Sequence, residues 1–479
     1  MNFTSITFLF IFFPIFLLIY YLMPNTRLRN IVLLIASLYF YSTGEPLFVY
    51  VMVISIIFNY FMALLIHSKR DKKLRKRLLI VDLFVNFLLL AIFKYTNFVI
   101  STINALFMLK LNLTPIPLPI GISFFTFQAV SYVLDVYFDD GRNDSVHFQS
   151  NIISFALYIS MFPQLVAGPI VRYSQIAKEI KRRKFNIDEI NEGLRRFIYG
   201  LSKKVLIANS MAIVADSAFN VDPKDAGSMM LILGAISYSL QIYFDFSGYS
   251  DMAIGIGKML GFKFPENFNY PYLAVSITDF WKRWHITLSS WFKDYLYVPL
   301  GGSKRGFQRT IINLLIVWGL TGLWHGAKWT FVLWGLLYFA FLSLEKMFKA
   351  KFTKTVDKVF PYLICRILTL IIVTMLWIFF RSDSIRSAFL YIYYIFNVVD
   401  KALVNSQFTF YVKDFAVFYI VAILSSFRVF ENFSRNFFKD KNNNNLYIIL
   451  SNVLCVILLI LCTIYIVKGS YNPFIYFNF

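Results

Sequence analysis

The chain has 479 residues, of which 58% are hydrophobic, 19% are aromatic and 15% are charged, and its mean hydropathy is +0.62. A soluble globular protein has about 25% charged residues, so this composition cannot cover a water-facing surface and predicts an integral membrane protein. The net charge of +21 comes from basic residues clustered in loops between apolar runs, which is typical of cytoplasmic membrane loops and argues against nucleic-acid binding.

Apolar segments along the whole chain are candidates for spanning helices, which need about 20 mostly apolar residues. In order they are Ile6–Met23, Asn30–Tyr41, Leu47–Ile66, Leu78–Phe107, Ile152–Val166, Leu194–Ala215, Met229–Phe246, Thr310–Trp324, Thr330–Leu344, Ile364–Phe380, Phe408–Ser426 and Leu446–Val467. The first lacks a preceding basic segment and a small-residue cleavage site, so we expect a retained span. Several are short, and Ile116–Tyr137 is rich in Pro and Gly. We therefore expect about eleven spans plus re-entrant or interfacial helices.

The orientation in the membrane is predicted from basic clusters, which face the cytoplasm in most membrane proteins. They are Lys69–Arg77, Lys178–Lys184, Lys203–Lys204, Lys304–Arg309, Lys346–Lys358 and Arg428–Lys441. Counting spans outward from these clusters places both the N-terminus and the C-terminal tail Lys468–Phe479 outside. The sequence has no internal repeat, which weakens the alternative of a secondary transporter.

Charged, aromatic and glycine residues mix densely between Phe244 and Gly302, which is unlike a lipid-facing helix. Trp281, His285 and Ser289 are spaced to share one face of a helix. One interpretation is an amphipathic interfacial helix whose Lys282 and Arg283 reach toward water. The other interpretation is a functional site.

A second candidate site is His325, which ends the apolar run Gly319–Gly326. An ionisable residue within a membrane segment is costly and indicates function, although a neighbouring helix could also satisfy the ring. Histidine titrates near neutral pH and suits a general base. If the helix begins near Thr310, His325 lies about 22 Å along it, past the midplane toward the outside.

These segments closely resemble the membrane-bound O-acyltransferase (MBOAT) family, in the branch of the alginate and peptidoglycan O-acetyltransferases. The matching motifs are Pro119–Gln128, Phe162–Ile170, Gly200–Lys204, Asp279–Gly302 and Trp324–Gly326. The family that transfers D-alanine to teichoic acid is a more distant relative. The resemblance implies one all-α domain over residues 1–479, with its core motifs in 117–345 and helices ringed around a thin central layer. A cytoplasmic face would admit the acyl donor, and a funnel would open outside.

The resemblance also implies site roles. His325 matches the catalytic histidine and His285 the second family histidine, and acetyl-CoA is the implied donor substrate. His285 or Asp279 is the candidate to orient His325. Lys282 and Arg283 are candidates to hold the donor phosphates, and Trp324 belongs to the same donor-binding or orienting group.

The C-terminal segment Asn472–Phe479 allows two interpretations. Without the resemblance, its aromatic residues predict an anchor at the outer interface. It resembles, however, a Phe-x-Tyr-Phe motif of this branch, in which the tyrosine is proposed to carry the acyl group. The resemblance therefore favours Tyr476 as an acyl carrier.

The predicted function is transfer of an acetyl group across a bacterial cell membrane for O-acetylation of a surface polysaccharide, such as an alginate-like polymer or peptidoglycan. No Gly-x-Ser-x-Gly motif occurs, so we expect an extracytoplasmic SGNH-type partner acyltransferase. Cys365, Cys455 and Cys462 have no paired spacing, and no metal site or further cofactor is expected. The alternatives are a polysaccharide or lipid transporter and D-alanyl transfer to teichoic acid.

Overall fold

A computed structural model describes residues 1–112, 114–139, 148–352, 359–397, 403–429, 444–469 and 473–475. Within these ranges all regular secondary structure is helical. The predicted all-α membrane fold is therefore confirmed. The predicted carrier Tyr476 lies outside the described residues.

The described chain forms two compact units, and the first contains residues Met1–Phe197 and Ser250–Pro265. A π-helical turn, Phe8–Phe12, leads into its first helix. The helices are α1 (Phe13–Leu22), α2 (Thr26–Ser42), α3 (Phe48–Ser68), α4 (Lys72–Phe107), α5 (Ile122–Phe138), α6 (Ile152–Ser160), α7 (Phe162–Leu165), α8 (Tyr173–Lys181) and α9 (Ile187–Ser202). Polar side chains cap several of them: Asn25 accepts the Leu28 N–H at the start of α2, for example.

The second unit contains residues Ile198–Tyr249 and Glu266–Phe479. After the π-helical turn Lys203–Ala208, its helices are α10 (Asn209–Phe219), α11 (Ser228–Met259), α12 (Ile277–Arg283), α13 (Ile286–Phe292), α14 (Phe307–His325), α15 (Trp329–Phe352), α16 (Val359–Arg381), α17 (Ile385–Phe396), α18 (Ser406–Asp414), α19 (Ala416–Ser426) and α20 (Asn444–Val467). The end of α9 lies in the second unit, and the end of α11 lies in the first.

Seven helical segments in the described ranges are long and apolar enough to span a membrane: Phe48–Ser68, Lys72–Phe107, Ile187–Phe219, Ser228–Met259, Trp329–Phe348, Tyr362–Arg381 and Ile448–Val467. Helices α18 and α19 form an eighth if they are taken as one span bent by 64°. Three further apolar helices are shorter: Phe8–Leu22, Ile122–Phe138 and Ile385–Phe396. The chain is a multi-pass membrane protein that mixes long spans with short and broken helices.

Three sequence-based expectations were wrong in their local geometry. The segment Ile152–Val166 is not one span, because Met161 has an extended ψ of 113° between α6 and α7. The face predicted from residue 281 to residue 289 does not exist, because His285 has a φ of +44° and separates α12 from α13. Lys203–Lys204 is not a loop cluster: both residues lie in a π-helical turn within a helical run, so the pair gives no evidence on orientation.

Aromatic rings form the contacts that hold α12 beside α14 and α15 in the second unit. Trp281 packs edge-on to Trp318, Trp334 and Tyr338, with ring centroids 4.7, 5.8 and 5.0 Å away. Edge-to-face pairs of this kind add to the free energy gained by burying large rings. The cluster fixes the segment that carries His285 against the helices that carry His325.

Candidate active site

His325 is the last residue of α14, at the turn of a tight helical hairpin with α15. Two glycines allow the close approach. A Cβ atom on Gly322 would lie 2.5 Å from the Phe331 carbonyl oxygen, and one on Gly335 would lie 2.4 Å from the Trp318 carbonyl oxygen. Gly322 and Gly335 thus let α14 and α15 pack closely, and His325 at the end of α14 is only 1% exposed.

The imidazole of His325 is enclosed by aromatic rings. The centroids of Trp324 and Trp334 both lie 5.0 Å away, and that of Phe380 lies 5.3 Å away. All three rings meet the imidazole nearly edge-on, at angles of 73° to 82°. These rings, together with the 1% exposure of His325, shield the imidazole from water.

His285 is held by the short link between α12 and α13. Its left-handed backbone is uncommon outside glycine and asparagine, and residues in such conformations cluster at functional sites. The Ile286 N–H donates to the Asn267 carbonyl oxygen over 2.9 Å, which fixes the link. His285 is fully buried, and its Nδ1 lies 3.0 Å from Asn267 Oδ1.

The contacts of Asn267 determine which nitrogen of His285 carries the proton. Asn267 Oδ1 accepts the Thr287 backbone N–H (3.3 Å) and the Thr287 hydroxyl (2.9 Å), so this atom is the amide oxygen. His285 Nδ1 must then donate, which leaves the lone pair of the neutral ring on Nε2. His285 lies outside the long apolar helices, and burial lowers its pKa to about 3, so the ring stays neutral at physiological pH.

Trp324 lies close to both histidines. Its ring centroid is 5.0 Å from that of His325 and 6.0 Å from that of His285. The structure therefore brings together three of the residues that the sequence singled out, although His285 and His325 are far apart in the chain.

The charged candidates of α12 lie elsewhere. Asp279 forms an ion pair with Arg283, with Oδ1 and Nε 2.9 Å apart, and also accepts the Val275 N–H. Among the described residues its side chain contacts neither histidine. Lys282 is exposed. Asp279 thus fixes Arg283 and the start of α12, and the orienting contact to a histidine comes from Asn267.

The C-terminal segment reaches the same region through its described residues, Pro473–Ile475. Phe474 is 4% exposed, and its ring lies 4.9 Å from that of Tyr249 and 6.0 Å from that of Phe246. Phe246 in turn meets the His285 ring edge-on at 4.6 Å. The residue before Tyr476, Ile475, donates its backbone N–H to Asp245 over 2.8 Å.

Sequence reasoning assigned no role to Asn267, nor to the buried ion pair between Lys204 and Asp245. Asn267 carries no pattern that predicts a histidine partner. Lys204 and Asp245 did carry a signal, since each is a charged residue within an apolar run, and such residues indicate function. Among the described residues no three His, Cys, Asp or Glu side chains are grouped to hold a metal ion.

Residues 34–389 match the model of the membrane-bound O-acyltransferase family, MBOAT. The chain belongs to this family. It is 42% identical over 395 residues to the "Probable alginate O-acetylase AlgI" of Pseudomonas syringae pv. tomato, covering 81% of this chain and 74% of that protein. It is 38% identical over 418 residues to the "Peptidoglycan O-acetyltransferase" of Helicobacter pylori, covering 81% and 78%. Similarity to the "Teichoic acid D-alanyltransferase" of Bacillus subtilis is lower, at 28% identity over 48% of this chain.

Membership of the MBOAT family makes the chain an O-acyltransferase, as its sequence predicted. The matched region contains His285, His325 and the residues described above in contact with their rings: Phe246, Asn267, Trp324, Trp334 and Phe380. An O-acyltransferase must activate a hydroxyl, and the imidazole of a histidine is a side chain suited to that task.

Proposed function

We propose that this MBOAT protein moves acetyl groups from cytoplasmic acetyl-CoA across the membrane for O-acetylation of a cell-surface polysaccharide. The observation that carries the proposal is that His285 and His325 are both buried and both lie close to Trp324. Phe474 of the C-terminal segment packs against Phe246, whose ring contacts His285. The names of the alginate and peptidoglycan relatives support the acetyl group and the glycan acceptor.

His325 is the proposed general base. A phenol has a pKa near 10 and is almost fully protonated at pH 7, so it needs a base to attack a thioester. The imidazole accepts the hydroxyl proton as the new C–O bond forms, the C–S bond breaks, and the proton passes to the departing thiolate. Asn267 sets the tautomer of His285. The Nε2 atom of His285 can then accept a hydrogen bond that holds the acyl donor in place.

Tyr476 is the proposed first acceptor. Its phenolic oxygen would take the acetyl group as an aryl ester, and a phenol leaves more readily than a sugar alcohol, so the ester can pass the group on. The described neighbours Phe474 and Ile475 support this role because they lie next to the rings around His285. An extracytoplasmic SGNH-type acyltransferase would complete the transfer to the glycan.

The donor is proposed to bind from the cytoplasmic side through α12. Lys282 is exposed and can bind a phosphate, whereas Arg283 is paired with Asp279 and its side chain is 26% exposed. Cations suit the several phosphate charges of coenzyme A. Trp324, close to both histidines, would form a wall against the acetyl thioester.

The protein is proposed to lie in the bacterial inner or plasma membrane with both termini outside. Support comes from the exposed basic cluster Lys69–Arg77, which the positive-inside rule assigns to the cytoplasm. An impermeant amine reagent should leave this cluster unlabelled in intact cells, while a tag placed after Phe479 should react with antibody. Labelling of Lys69–Arg77 in sealed cells would reverse the orientation.

Deleting the chain from its host separates the proposed function from its two alternatives. We expect the glycan to reach the surface in normal amount but without alkali-labile acetate. A glycan that fails to reach the surface would indicate a transporter instead. Loss of ester-linked D-alanine with acetate unchanged would indicate D-alanyl transfer.

A further inference from the structure

A buried ion pair in the second unit connects two helical segments that are each long and apolar enough to span a membrane. Lys204 and Asp245 pair through Nζ and Oδ1, and their side chains are only 6% and 1% exposed. Removing two charges from water is costly, and an apolar pair of similar size is often as stable or more stable. The stability of the fold therefore does not explain why an ion pair occupies this position. We infer that the pair has a binding role.

The second oxygen of Asp245 contacts the C-terminal segment. Oδ2 accepts the backbone N–H of Ile475 over 2.8 Å, while Oδ1 faces Lys204. A carboxylate is a stronger acceptor for an N–H group than a neutral amide. Lys204 offsets the charge that would otherwise make a buried carboxylate unfavourable. The pair thus presents one strong acceptor to a peptide N–H.

The surroundings of the pair are shaped to hold it. Lys204 lies in the π-helical turn Lys203–Ala208, and such turns occur frequently at functional sites. α11 approaches this turn closely at Gly248, where a Cβ atom would lie 3.1 Å from the Lys204 backbone nitrogen. Beside the acceptor, Tyr249 and Phe246 provide the aromatic contacts of Phe474.

We propose that the Lys204–Asp245 pair is the docking site of the C-terminal segment. It binds the Ile475 N–H, with Phe474 as the aromatic anchor, and thereby sets where residue 476 can reach relative to His285. Lys204 and Asp245 are positioning residues, since they act through the segment. The role of docking in acetyl transfer rests on the proposed carrier function of Tyr476. The docking of the segment at Asp245 does not depend on that function.

Two double variants, in which neither residue of the pair is charged, test the hydrogen-bond acceptor at position 245. Lys204→Met/Asp245→Asn keeps an oxygen for the Ile475 N–H, whereas Lys204→Met/Asp245→Leu removes it, and neither leaves a buried charge unpaired. The rate at which carboxypeptidase trims the purified full-length protein past Phe474, followed by intact-mass spectrometry, reports how often the segment is undocked. We expect trimming to be about 5-fold to 30-fold faster in the Leu variant than in the Asn variant. Thermal unfolding should be alike in the two.

Phe474→Ala tests the same docking without altering either helix, and should also accelerate trimming past residue 474. Equal trimming rates in the Asn and Leu variants, or in Phe474→Ala and the unaltered protein, would overturn the docking site. If trimming depends on Asp245 while Tyr476→Phe leaves acetylation intact, the docking stands and the carrier role fails.

Discussion

Replacing His325 with alanine is expected to lower glycan O-acetylation by about 10²–10⁴-fold, the usual effect of losing a general base. The hydroxyl acceptor would keep its proton in a pocket whose aromatic walls restrict water. His325→Gln is the sharper variant, because glutamine keeps much of the volume at this 1% exposed position but cannot act as a base at neutral pH. Acetate released from the surface glycan by mild alkali measures the effect.

His67→Ala is the matched control for this prediction. His67 lies in the last turn of α3, is exposed, and stacks on Phe148 with ring centroids 3.9 Å apart. Its replacement should leave acetylation at the level of the unaltered protein. Equal amounts of each variant in the membrane, with similar thermal unfolding, are required for the comparison. Normal acetylation in His325→Gln would remove this histidine from the chemistry.

Changing Tyr476 to phenylalanine is expected to stop glycan acetylation while leaving the protein folded. The substitution keeps the aromatic ring and removes only the hydroxyl oxygen, which is the atom that would carry the acetyl group. If the C-terminal segment were only an aromatic anchor at the membrane interface, the same change would have almost no effect. Surface acetate therefore distinguishes the two interpretations.

Tyr471→Phe provides the control within the tail Lys468–Phe479, since it removes another phenolic oxygen and should leave acetylation unchanged. A second variant, Phe474→Ala, should reduce acetylation without abolishing it, because the ring contacts with Tyr249 and Phe246 position the segment but take no part in bond making. Full acetylation by Tyr476→Phe would mean that His325 activates a different acceptor.

The long helices could be predicted from the sequence because about 20 apolar residues leave the backbone of a membrane protein few alternatives. Leu446–Val467 lies within the observed α20, and the predicted Thr310–Trp324 lies within α14. His325 was predicted just beyond an apolar run, and it is the last residue of that helix. These features depend on local composition, which the sequence shows directly.

Features that depend on distant partners could not be predicted in the same way. The spacing of Trp281 and His285 fits a continuous helix, but the contacts of residues 286 and 287 with Asn267 hold a left-handed residue between two helices instead. Lys204 and Asp245 stand out in the sequence as charged residues within apolar runs, but nothing in the sequence shows that they pair with each other. Only tertiary packing reveals that these charges are paired and buried.

The central claim is that His325 catalyses acetyl transfer to Tyr476, and mass spectrometry of the C-terminal peptide tests it most directly. The peptide should be isolated from cells that lack the extracytoplasmic acyltransferase, so that the acetyl group on Tyr476 cannot be passed on to the glycan. The account predicts a mass increase of one acetyl group on Tyr476 in the unaltered protein and none in His325→Gln. An unmodified Tyr476 in the unaltered protein, or acetylation that persists in His325→Gln, would contradict it.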